Sequence, residues 1–214
     1  GSASSFYWGL TLGNDNYLYA SERTTRQIEK FGLDGTSAGV WNLPGAGGLS
    51  GLAFDTQGNL LVTSGHSLLV LDDEMNIIHE EFISPLHELW GVAVRPDGLI
   101  YIAGGNSQAS GEAKNLIFVY DDQYGYLKSF SGEDLTEPAQ LAFDESNFLY
   151  ATSTNLSCAV VFDKWDTYVS TIDLGNRSIG LAFERNANVV PLPGALLLGM
   201  LGLGYGGMRL RRYS

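Results

Sequence analysis

Four stretches of this chain align on one another without gaps: W-G-L-T-L-G-N-D-N-Y-L-Y from Trp8, S-G-L-A-F-D-T-Q-G-N-L-L from Ser50, W-G-V-A-V-R-P-D-G-L-I-Y from Trp90 and A-Q-L-A-F-D-E-S-N-F-L-Y from Ala139. A fifth, partial copy, I-G-L-A-F-E-R-N-A-N, begins at Ile179. From Gly9 the register returns at Gly51, Gly91, Gln140 and Gly180, a period of 40 to 49 residues. A fixed period of this length means one supersecondary unit repeated, each burying a face against the next. The unit must therefore explain everything up to about residue 188.

Each copy is followed by a second apolar run that ends in an acid: L-L-V-L-D-D from Leu68, I-F-V-Y-D-D from Ile117 and A-V-V-F-D from Ala159, with Q-I-E-K-F-G-L-D-G from Gln27 as a looser version. Short runs of Val, Leu, Phe and Tyr between Asp, Asn and Gly turns predict antiparallel hairpins. No stretch before Val189 sustains a helical period. Four strands in about 40 residues make a propeller blade, so the expected fold is all-β. We expect a β-propeller with four repeats and one extra strand in residues 1–188, followed by a C-terminal transmembrane helix within 189–214. With 44% hydrophobic and 12% aromatic residues, 214 residues suffice for a sizeable core.

These repeats resemble the NHL and related six-bladed propeller families, whose units carry a G-V-A-V-D-x-x-G-N-x-Y-V-A core and an R-I-Q-V-F-D strand. The resemblance implies architecture more than function. It also implies six blades where four and a strand are present, so either the ring is small or blades precede Phe6. We expect the second, because the pattern opens directly on an innermost strand.

The tail is of another kind. Val189 to Met208 carries no charge and ends against Arg209, Leu210, Arg211 and Arg212. Twenty helical residues reach about 30 Å, the thickness of a bilayer's hydrocarbon core. Positive charge resists translocation, which predicts a cytoplasmic C-terminus and an exported body. Export in turn implies a leader that has been removed, since Gly1 to Ser5 has neither a basic region nor an apolar core. Before the span stands V-P-L-P-G, Val190, Pro191, Leu192, Pro193 and Gly194, whose prolines keep the segment out of a helix and accessible to a protease.

Proline motif, apolar span and terminal arginines in this order resemble the PEP-CTERM sorting signals of bacteria, in the V-P-L-P variant. Leu192 stands where the commonest form has Glu, and Gly194 where the variant more usually has Ala. The resemblance implies recognition and cleavage by the membrane protease exosortase, in bacteria that make exopolysaccharide. It implies transient anchoring in the inner membrane, N-terminus out, then release to the cell surface or matrix. Arg209, Arg211 and Arg212 would be the orientation signal.

All 24 acidic residues precede Arg209, as do all but three of the 12 basic ones. A body so acidic repels nucleic acid and anionic lipid, so no nucleic-acid partner is expected. Recurrent acids at the strand ends, Asp72, Asp73, Asp121, Asp122 and Asp163, predict capped turns, with calcium loops as the alternative. His66, His79 and His87 share no repeat position and form no metal-binding pair. Cys158 reads as buried packing.

No G-x-S-x-G elbow, phosphate loop or dinucleotide fingerprint is found where a strand leads into a helix, so no catalytic residue, metal or cofactor is assigned. Trp8 and Trp90 hold one repeat position near the channel mouth. They are core packing or an aromatic platform for a polysaccharide or a surface-protein partner. The resulting expectation is a non-enzymatic, exported binding or scaffold protein. Its rival is a gluconolactonase-like metal-dependent hydrolase, for which Glu88 and Glu137 are the nearest acids.

Overall fold

The computed structural model describes residues 6–84, 87–105, 115–175, 180 and 181, all of it strands, turns and connections. Sixteen strands form four separate four-stranded sheets. Blade I holds β1 (Tyr7–Leu12), β2 (Leu18–Glu22), β3 (Gln27–Phe31) and β4 (Ser37–Asn42). Blade II holds β5 (Leu49–Phe54), β6 (Leu60–Ser64), β7 (Ser67–Leu71) and β8 (Ile77–Phe82). Blade III holds β9 (Glu88–Val94), β10 (Ile100–Gly105), β11 (Asn115–Tyr120) and β12 (Tyr126–Phe130). Blade IV holds β13 (Pro138–Phe143), β14 (Leu149–Ser153), β15 (Cys158–Phe162) and β16 (Tyr168–Asp173). Each sheet is an antiparallel meander in chain order, and the blades pack through their first strands, β1 on β5, β5 on β9 and β9 on β13. The fold is the expected β-propeller. The fifth copy from Ile179 is described only at Gly180 and Leu181. The proline motif and the apolar span lie outside the described residues, among which no helix is long and apolar enough to cross a membrane.

The core lies between blades. Tyr19 and Ile28 of blade I meet Leu52, Leu60, Val62 and Leu69 of blade II. Leu61, Leu68 and Val70 of blade II meet Val92, Ile100, Ile102 and Phe118 of blade III. Tyr101, Ile117 and Val119 of blade III meet Leu141, Leu149, Ala151 and Phe162 of blade IV. Middle strands are covered on both faces, which is why β6 and β15 are buried throughout and β7 in all but its first residue. Outermost strands such as β8 alternate with solvent.

Two devices bring the inner strands together. A Cβ built on Gly9 would strike the carbonyl of Ser50, one on Gly91 the carbonyl of Ala139, and one on Gly51 would lie 2.5 Å from the Trp90 carbonyl. The repeated glycine thus marks where the next blade's backbone lies against this one. Beside it a second-strand hydroxyl bridges the blades. Ser21 Oγ accepts the Gly9 amide (2.9 Å) and donates to the Ser50 carbonyl (2.5 Å). Thr63 Oγ1 accepts the Gly51 amide (2.7 Å) and donates to the Trp90 carbonyl (2.5 Å). Blade III has Ala103 in this place, while Thr152 of blade IV accepts the Gln140 amide at 2.9 Å.

At the opposite end the hairpin turns repeat one geometry, in which the amide of the first residue bonds the carbonyl of the fifth. Asp55, Asp121, Asp144 and Asp163 open such turns and accept the amides two and four residues on, while Asp72 accepts that of Asn76. Where Gly13, Gly32 or Arg95 opens the turn, the acid moves to its third residue, Asp15, Asp34 or Asp97, and caps the fifth. Of the strand-end acids singled out, Asp72, Asp121 and Asp163 are turn caps, as their recurrence predicted, whereas Asp73 and Asp122 are the next residues of those turns and cap no described turn amide. Asp72, Asp73 and Glu74 also form the one group of three carboxylates among the described residues close enough to share an ion.

This end is tied across blades by Tyr124, whose hydroxyl donates to Asp55 Oδ2 (2.7 Å) and accepts from Asn59 Nδ2 (3.1 Å). Burial, and then the Asp55 carboxylate, push the Tyr124 phenol up to about 12. An ordinary tyrosine loses its proton near pH ~10, so the folded state holds a proton that the unfolded chain has released. The stabilisation is therefore whole below about pH 10 and is lost as pH rises towards 12. In a melting series from pH 9 to 12, Tm should fall across that interval, less steeply in Tyr124→Phe; identical slopes would refute the assignment.

Candidate functional site

The starts of the inner strands and the ends of the second strands gather at the end opposite the acid-capped turns. Trp8 sits at a bulge of β1, where pairing with β2 skips from Tyr7 to Gly9. The indole there is 43% exposed. Trp90 holds the equivalent place two blades on, and the two rings meet with centroids 5.3 Å apart and planes at 38°. The two tryptophans singled out in the sequence are therefore brought together across blade II.

A residue that the sequence did not single out organises them. Arg23, directly after β2, places its guanidinium 5.2 Å from the Trp8 ring centroid and 4.9 Å from that of Trp90. Its Nη1 donates to Ser50 Oγ at 2.8 Å, and its Nη2 pairs with the Glu88 carboxylate. Gly48 leaves room for the stem, since a Cβ there would lie 3.1 Å from Arg23 Cγ. Each cation–π contact at a half-exposed site is worth about 0.5–1 kcal/mol, and a partly exposed ion pair no more than about 1 kcal/mol. Arg23 thus braces blades I, II and III; Trp8 stays exposed, while Trp90 is partly buried and packs against the core between blades III and IV. In the repeat its place is taken by Gly65 and Thr154, so only its charge, scarce in an acidic body, could have marked it.

Beyond Trp90 the wall continues through Gly105 to Glu137. A Cβ on Gly105 would lie 3.7 Å from Trp90 Nε1 and 4.0 Å from Glu137 Cα. Glu137 has φ +47°, a left-handed backbone. Residues before a proline, here Pro138, favour extended conformations, and such strain costs about 1–3 kcal/mol unless the surroundings impose it. They do: its amide donates to Asn115 Oδ1 (2.8 Å), and its carbonyl accepts from Thr154 Oγ1 (3.1 Å) and the Thr154 amide (3.4 Å).

The remaining sequence candidates stand apart. His66 Nδ1 lies 2.7 Å from the His87 carbonyl, and His87 is buried with its ring edge-on to Phe118 at 5.3 Å. His79 stacks on Tyr124 at the other end. Cys158 is buried, and burial raises its thiol pKa, away from nucleophilic chemistry. Among the described residues no three His, Cys, Asp or Glu side chains converge at the mouth, and Glu88 is committed to Arg23. Among the described residues this donor set does not fit the axial divalent metal of a gluconolactonase-like site. The sorting residues Val190 to Gly194 and Arg209, Arg211 and Arg212 lie outside the described residues.

No family profile and no curated protein matches the chain. Solved structures do. Virginiamycin B lyase from Staphylococcus aureus, in a catalytically inactive form with quinupristin, superposes with a TM-score of 0.64 at 14% identity, over 80% of this chain and 57% of that one. A gluconolactonase from Xanthomonas campestris gives 0.64 at 18% identity, over 82% and 64%. A Bacteroides caccae protein of unknown function gives 0.61 at 12%, over 81% and 63%. The chain therefore spans less than two thirds of each of these proteins. At such identities the likeness shows the propeller fold alone. The expectation of a non-enzymatic protein is corrected by the same comparison, since the propellers that it finds include a lyase and a lactonase.

Proposed function

We propose that this chain is an exported propeller protein that takes a saccharide at the mouth formed by Trp8, Arg23 and Trp90, and that residues 189–214 are a PEP-CTERM-type signal processed by exosortase. The observation that carries the saccharide reading is the braced pair of indoles, Trp8 exposed and Trp90 partly buried, beside Ser50, Glu88 and Glu137. Pyranose rings lay their C–H faces on such rings and give their hydroxyls to polar groups at the edge. The acidic body disfavours nucleic acid and anionic membrane surfaces as alternatives. Supporting the sorting reading are the proline motif, the uncharged span and the confinement of every acid to the part before Arg209.

Trp90→Ala should reduce retention of the detergent-solubilised full chain on a glycan array at least tenfold. Trp165→Ala, which removes an indole 70% exposed at the opposite end, should leave it unchanged; equal losses would reject the site. Co-expression with exosortase should yield a shorter product than expression without it, and identical mobility would reject the processing. The likeness to a gluconolactonase favours a second reading, turnover of a bound sugar lactone. An acid-release assay on δ-gluconolactone decides it, a rate no higher than in buffer counting against.

A further inference from the structure

Resting on the saccharide reading, we infer that Glu137 is the specificity-determining residue of the mouth: its carboxylate accepts adjacent hydroxyls of a neutral sugar whose ring lies against Trp90, and it turns away sugars carrying a carboxylate or sulfate at that place. The two acids of the mouth are in opposite situations. Glu88 is neutralised by Arg23. Glu137 belongs to none of the described ion pairs, which join Arg23 to Glu88, Lys30 to Asp15, His79 to Glu81, Arg95 to Asp97 and Lys128 to Asp166. Its one described side-chain contact is with Thr154 Oγ1, at 3.5 Å.

The backbone of Glu137 is nevertheless held in a conformation that a residue before proline does not choose, by Asn115, itself buried, and by Thr154. Three hydrogen bonds fix where this residue stands, and no described ion pair takes its charge. Gly105 itself puts no side chain between it and the Trp90 indole. An aromatic wall on one side and an unneutralised carboxylate on the other suit a ring with C–H groups on its face and hydroxyls at its rim. A carboxylate has two acceptor oxygens and no donor, so it takes hydroxyls and repels anions. Arg23 acts as a positioning residue, holding the indole through contacts that leave its own charge compensated.

The test uses the full chain in detergent, with a neutral gluco-oligosaccharide and the corresponding glucuronate oligosaccharide as probes in titration calorimetry. The wild type should bind the neutral probe and prefer it at least tenfold. Glu137→Gln, which keeps size and removes charge, should bring the two affinities within about threefold while Tm stays within 2–3 °C, roughly the effect of 1 kcal/mol. A role confined to shaping the turn would leave the preference intact. Should the wild type bind both probes in a Trp90-dependent manner while Glu137→Gln retains the wild-type preference, or should the wild type prefer the glucuronate, the assignment of Glu137 falls and the saccharide site stands. Should the wild type bind neither probe, both fall.

Discussion

Gly51→Ala should yield a protein that melts at least 10 °C below the wild type or fails to fold. The added methyl would lie 2.5 Å from the Trp90 carbonyl, 2.7 Å from the Val92 amide nitrogen and 2.9 Å from Gly91 Cα. All three are backbone atoms of the next blade's inner strand, so no side chain can rotate away. The blades must separate, and the layer of Leu61, Leu68, Val92 and Ile100 separates with them. Overpacking costs about 1–3 kcal/mol where side chains can adjust; here we expect more than about 3 kcal/mol. Gly58→Ala is the contrast, since that turn glycine has φ +93° and open space around it. Only backbone preference opposes the change there, at about 1 kcal/mol. Circular-dichroism melting of both variants checks the order, and a Gly51→Ala protein melting as high as Gly58→Ala would refute the account.

The second large effect is expected from Thr63→Val, which keeps the shape and removes one oxygen. Thr63 Oγ1 receives the Gly51 amide and gives its proton to the Trp90 carbonyl, so the substitution strips both groups of a partner in a fully buried joint. An unsatisfied buried group costs about 1–3 kcal/mol, giving about 2–4 kcal/mol for the pair. Thr63→Ser retains the hydroxyl and gives up one methyl, about 1 kcal/mol. Urea denaturation midpoints should therefore rank wild type, Ser and Val in descending order; Val above Ser would show that the joint depends on packing and not on the bridge. Blades III and IV meet without such a bridge, through Ala103, which is consistent with Tyr101, Ile117 and Leu141 carrying that joint.

What could be read in advance was whatever repeats. A glycine that recurs every 40-odd residues reports a contact made at every joint, and an acid that recurs at strand ends reports a turn. The blades, the inner-strand register and the capping acids were all legible for this reason. Arg23 was not, because its partners Ser50, Glu88 and Trp90 lie one and two blades away and are brought to it by the curvature of the arc. Local pattern carries no information about that curvature. The conformation of Glu137 runs against the preference of a residue before proline, so local rules point the wrong way until Asn115 and Thr154 are in place. The meeting of Trp8 with Trp90 was half legible: their common repeat position implied a common orientation, but not contact across the intervening blade.

A stack of repeats in which each touches only its neighbours is poorly informed about itself, since damage at one end is not felt two units away. The Arg23 strut changes that, because it joins the first blade directly to the third as well as to the second. Whatever occupies the mouth pulls on both ends of that strut at once. Amides in blades I and III should then slow their exchange together when the mouth fills, as though the arc had been drawn tight by a single thread.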